Sequence, residues 1–145
     1  MVILMNEIDI LKEINKNSKT GIEGLNYTLE KVENNNLKVL LYKEKDEYKN
    51  IYDRTKELLI QKNEKTEDIK TMQKFMSWMG IELNTLTDKS SSQIAEILIQ
   101  GNDMGIIKGT KLLNNMQFED EQIKNILEDF IRLQQKNIED LKKYL

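Results

Sequence analysis

The chain contains no cysteine, no histidine and no proline, and of its 22 basic residues only Arg54 and Arg132 are arginine. Each absence removes a class of chemistry. Without Cys there are no disulfides, thiol nucleophiles or iron–sulfur ligands; without His there is no imidazole base, no conventional catalytic triad and almost no tetrahedral zinc site. The scarcity of Arg removes the planar guanidinium fork that bidentate phosphate clamps require. Long hydrophobic runs are missing as well. Nothing approaches the roughly 20 apolar residues of a membrane span, so none is expected. The opening stretch Met1 to Met5 is apolar but short, has no basic lead and runs into Asn6 and Glu7, which does not fit a secretory signal.

What is present is a chain of 145 residues, read as a single domain over 1–145. That length buries roughly 68–70% of the unfolded surface, enough to fold without disulfide or metal. Charged residues make up 32% of it with a net charge of only −3, so both signs are interspersed. A nucleic-acid partner calls for a basic stripe and is not expected. The lack of Cys fits a reducing cytoplasm, the expected location.

Apolar residues recur at three and four along most of the chain, the period of one helix face. Asn6 and Asp9 look like an N-cap and its acidic N3 partner. The first stripe is Ile8, Leu11, Ile14, Ile22, Leu25, Leu29 and Val32, and the asparagines Asn34 to Asn36 end it and cap the next. The second carries Leu37, Leu40, Leu41, Ile51, Leu58 and Leu59, with Glu44, Tyr48 and Thr55 where the stripe would continue, and it fades near Lys62. Links this short force antiparallel neighbours. Thr66 to Asp68 cap a short crossover helix with Met72, Phe75, Met76 and Met79 on one side, and Gly80 suits its left-handed stop. Ser90 and Gln93 form a capping box for a further helix with Ile94, Ile97, Leu98, Met104, Ile107, Leu112 and Met116. After a break at Gln117 to Asp120 the last helix runs through Ile123, Leu127, Phe130, Leu133, Ile138, Leu141 and Leu145. The expected fold is all-α: an antiparallel four-helix bundle with an additional short crossover helix.

Five glycines, Gly21, Gly24, Gly101, Gly105 and Gly109, fall inside helical patterns, where each costs about 0.5–1 kcal/mol relative to Ala. Close helix packing is the expected compensation, with a groove for a ligand or partner helix as the alternative. A second group is polar: Asn15, Ser18, Glu44, Tyr48, Thr55, Gln134 and Asn137 sit on or beside apolar faces, and buried polar groups must be paired. They read as a hydrogen-bonded layer that sets register, or as the lining of a small pocket. Met72, Phe75, Met76, Trp78 and Met79 form the candidate interaction surface, and the surplus of apolar side chains near Phe75, Trp78, Ile81 and Leu83 points to self-association as a homodimer.

The segments Asn17 to Gly24, Ile94 to Glu96 with Gly101, Gly105 and Ile106, and Gln134 to Ile138 with the ending Leu141 to Leu145 resemble the ferritin-like bundles of spore-forming bacteria. Those are the small proteins related to spore coat protein F. The resemblance implies a ferritin-like fold with a long crossover over residues 62–92 and spore association. It also implies a place for a carboxylate-bridged di-iron centre, which takes a Glu from each of two helices and Glu-x-x-His from the other two. Here the candidates are Glu44, Glu47, Tyr48, Gln134 and Asn137. Gln134-x-x-Asn137 keeps the spacing with neutral amides in place of acid and imidazole, so the expected centre is degenerate, with no metal and no cofactor. The function expected is a non-enzymatic structural or interaction bundle with a protein partner; the alternative is a small-ligand or metal-binding bundle.

Overall fold

The computed structural model describes residues 6–66 and 90–145. Four long helices account for most of them: α1 (Glu7–Leu29), α2 (Asn35–Gln61), α3 (Ser91–Asn115) and α4 (Glu121–Leu141), followed by a 3-10 turn at Lys142–Tyr144. Among the described residues there is no strand. The expected crossover helix, with Met72, Phe75, Met76, Trp78, Met79 and the stop at Gly80, lies outside the described residues.

Local chemistry explains the helix ends. The first N–H groups of a helix have no intrahelical acceptor, and Asn6 supplies one: its Oδ1 accepts from the Asp9 N–H at 2.8 Å while Asp9 Oδ2 accepts from the Asn6 N–H at 3.2 Å. Asn34 accepts from the Leu37 N–H at the start of α2, Ser90 from the Gln93 N–H at the start of α3, and Asp120 from the Gln122 N–H at the start of α4. The far end of α2 closes differently. Asn63 adopts φ 57°, its N–H donates to the Ile60 carbonyl, and the Glu64 N–H donates to the Leu59 carbonyl at 2.9 Å. These are the two bonds of a Schellman stop with Asn in the left-handed position.

α1 packs along α2 and α3 along α4, each pair joined by a short link and so antiparallel. The hairpins meet where α4 lies against α2 and α1, whereas α1 and α3 scarcely touch. A common core holds Ile10, Leu11, Ile14, Leu37, Leu41, Leu59, Ile94, Ile123, Leu127 and Leu141, all 0 to 2% exposed.

Two of the expected stripes are corrected. Met104 and Ile107 are not core residues: they are 50% and 49% exposed. α3 turns Ile94, Ala95, Leu98, Asn102 and Gly109 inward, and a residue two positions away lies about 200° round the helix. Met104 stands in that relation to Asn102, and Ile107 to Gly109. Leu145 is 61% exposed, because the last turn tightens to a 3-10 helix and leaves the α-helical period. Ile8, Ile22, Leu29, Leu40 and Ile138 are only half-buried, at the margins of their faces.

Candidate functional site: a polar chamber beside the α1–α3 cleft

Tyr48 stands near the middle of α2 with its ring against the backbone of α1. A Cβ on Gly21 would come within 3.0 Å of that ring, so the missing side chain there is what admits the tyrosine. Phe130 of α4 meets the ring edge-on, with centroids 6.1 Å apart. The Tyr48 hydroxyl then donates to Asn102 Oδ1 on α3 at 2.8 Å, and Asn137 Nδ2 on α4 approaches the same oxygen at 3.4 Å. Asn102 Nδ2 donates to the Leu98 carbonyl of its own helix. Three helices are thereby joined through one amide. Another polar tie, Asn15 Nδ2 to Thr55 Oγ1 at 3.1 Å, links α1 to α2.

One turn before Tyr48 lies Glu44, 2% exposed, and one turn before Ile138 lies Gln134, 5% exposed. Gln134 packs against Gly105, where a Cβ would collide with its amide. Among the described residues, neither Glu44 Oε1 nor Gln134 Oε1 has a hydrogen-bond partner. Leaving a buried acceptor unpaired costs about 1–3 kcal/mol, so this pair departs from the general rule of satisfaction. Both line a chamber of about 120 Å³ whose wall also holds Gly21, Tyr48, Gly101 and Asn102. A larger groove of about 550 Å³ adjoins it, since Asn17, Gly105 and Lys108 belong to both; its walls include Ile14, Leu112, Met116 and Phe130.

Electrostatics follow from burial. Desolvation, with Asp140 and Glu47 adding like charge and Lys136 opposing them, pushes the Glu44 carboxyl up to about 8. Burial, reinforced by Glu44, also raises the Tyr48 hydroxyl above its ordinary value. At neutral pH both groups hold their protons. At the edge of the site Lys136 is held above its ordinary range chiefly by its hydrogen bond to Glu47, at 2.9 Å.

Of the five residues singled out for a degenerate centre, Glu44, Tyr48, Gln134 and Asn137 are buried and Glu47 is half-buried, paired outward with Lys136. Asn102 completes the constellation, and sequence reasoning missed it. Its signal was available: an Asn one turn after Leu98, on the line of Ile94 and Leu98. The glycines divide between two kinds of place. Gly21 admits Tyr48, and Gly109 faces Ile131 of α4, where a Cβ would lie 2.8 Å from Ile131 Cγ1. Gly21, Gly101 and Gly105 line the chamber. Gly24 is buried and its carbonyl accepts from Thr28 Oγ1.

The donor set does not fit a di-iron centre. Two iron ions need several anionic ligands in a low-dielectric core, and the chamber offers one carboxylate, a phenol and three amides. No group of three or more acidic side chains stands together among the described residues in a way that would hold a metal ion.

Fold and site define a class: an all-helical protein whose four long helices pack around a core crossed by a buried polar network. Beyond the class, no family, no curated protein and no solved structure matches the chain. Among the described residues, no helix is long and apolar enough to cross a membrane.

Proposed function

We propose that this chain is a non-enzymatic, ferritin-like bundle that binds a small ligand in the chamber beside the α1–α3 cleft. One observation carries the reading: two oxygens, Glu44 Oε1 and Gln134 Oε1, are buried beside open volume without a hydrogen-bond partner among the described residues. A layer that served only to set register would close its own hydrogen bonds, as Asn15 and Thr55 do. Support for ferritin-like descent comes from the two antiparallel hairpins and from Glu44, Gln134 and Asn137 lying buried on facing helices. A spore context follows from the resemblance alone.

The test is a thermal-shift screen of small polar and amphipathic compounds on the purified protein, run beside metal analysis. Stabilising compounds that lose their effect in Gly101→Leu, whose added side chain stands in the chamber wall, support the reading. No stoichiometric iron is expected. A screen in which nothing shifts the melting temperature, or iron or manganese retained at stoichiometric level, overturns it.

A second reading, a structural or interaction protein acting as a homodimer, is favoured by Met104 and Ile107. They stand half-exposed, about one turn apart on α3.

A further inference from the structure

We infer that the α1–α3 cleft takes a primary amine with an apolar tail, its ammonium group against Glu44 and Gln134 and its tail along Ile14, Leu112, Met116 and Phe130. The inference rests on the ligand-binding reading above and adds the chemical class.

The argument begins with donors and acceptors. Both unpartnered atoms are oxygens: Gln134 Oε1 accepts, and Glu44 Oε1 accepts once its carboxyl is ionised. An ammonium group brings three donors and no acceptor, whereas a hydroxyl brings one donor and a carboxylate none. Charge points the same way. The charged groups acting on Glu44 are acidic Asp140 and Glu47 against a single Lys136, so a cation seated at Glu44 meets more negative than positive charge there. Size then limits the head. About 120 Å³ is room for an ammonium and its first carbons. The tail has its own place, because the adjoining groove of about 550 Å³ carries Ile14, Leu112, Met116 and Phe130. Lys108 stands where the two spaces join, but it is exposed, and a long basic side chain keeps its head in water.

Seating a cation requires Glu44 ionised, so binding expels the proton that the carboxyl holds at neutral pH. The charged and titratable groups around it are Glu47 and Tyr48 on α2, Lys136 and Asp140 on α4, and Lys108 on α3; α1 contributes only Asn17, Thr20, Gly21 and Leu25 to the chamber wall. Affinity therefore strengthens by about tenfold per pH unit from pH 6 until Glu44 ionises in the free protein.

Isothermal titration of the full chain with hexylamine, hexanoate and 1-hexanol, at pH 7 in two buffers of different ionisation enthalpy, tests this. Hexylamine should bind, 1-hexanol should bind at least about tenfold more weakly and hexanoate not measurably. Close to one proton should be released per amine bound. Glu44→Gln, isosteric and checked for helicity, should weaken hexylamine by about tenfold or more and abolish the proton release; Glu96→Gln, at an exposed position of α3, should change affinity by less than about threefold. Should 1-hexanol or hexanoate match hexylamine, or proton release persist in Glu44→Gln, the amine class is wrong while the ligand-binding reading survives. If none of the three probes binds and the thermal-shift screen is also blank, both readings fall.

Discussion

Glu44, 2% exposed and near Asp140 and Glu47, keeps its proton to about pH 8 in the folded chain, against an ordinary value of 4.5. The sign of the consequence follows from proton counting. Between those two values the unfolded chain has released a proton that the folded chain retains, so stability falls as pH rises through that window. Urea midpoints should decline from pH 5 to pH 8, and Glu44→Gln should flatten the decline and exceed the parent at pH 8 by about 1–3 kcal/mol. A parent profile that is flat across this range, with a variant no more stable at pH 8, contradicts the assignment. Gly109 offers a second test. Ala gains about 1 kcal/mol of helix propensity over Gly, yet its Cβ would press to 2.8 Å from Ile131 Cγ1. Overpacking of a tight core costs about 1–3 kcal/mol, so Gly109→Ala should come out destabilised by about 1 kcal/mol in urea. Glycine and asparagine were visible as anomalies in a helical pattern; the partner each one faces was not, because that depends on contacts 22 to 54 positions away.

At the scale of elements, the boundaries came largely from capping chemistry, which acts over three or four residues. Asn6, Asn34 and Ser90 were all legible for that reason. The Schellman stop at Asn63 was not recognised, although Asn is the residue after Gly best suited to a left-handed position. Asn63→Gly should therefore preserve the stop and stabilise by a few tenths of a kcal/mol up to about 1, measured by thermal unfolding, whereas Asn63→Val should destabilise. One cap lay beyond local reading. Glu7 Oε1 accepts from the backbone N–H groups of Glu119 and Asp120 at 2.6 and 2.9 Å, so the first residue of α1 holds the approach to α4. Glu7→Ala removes a charged acceptor from two donors and should cost about 1–2 kcal/mol; a loss equal to that of an exposed Glu far from any N–H would count against this link.

For the whole molecule, the ion pairs that join distant elements lie at the surface: Arg54 with Asp129, Lys62 with Asp120 and Lys136 with Glu47, each at 2.9 Å. Exposed pairs contribute about 0–1 kcal/mol each, so cohesion between the hairpins rests on the apolar core, the Tyr48 to Asn102 bond and the Glu7 link to the start of α4. Assembly is the property to measure at this scale. Sedimentation at micromolar concentration should show a dimer, converted to monomer by Met104→Lys with Ile107→Lys; a monomeric parent at high micromolar concentration removes the homodimer from the proposal.

By itself the sequence determined the all-α class, the order of the four described helices and the pairing within each hairpin, because period, caps and link length are local quantities. It also marked Glu44, Tyr48, Gln134 and Asn137 as polar groups on buried faces. Only the tertiary structure decided which of them meet. α3 enters the bundle on the line through Asn102 and Gly109 instead of through Met104 and Ile107. Apolar side chains on that helix are spread widely enough for either face to read as the core. The face that won is the one whose small residue leaves room for Ile131, and whose amide accepts from the Tyr48 hydroxyl. Complementarity of that kind belongs to pairs of surfaces, and no single stretch of chain carries it.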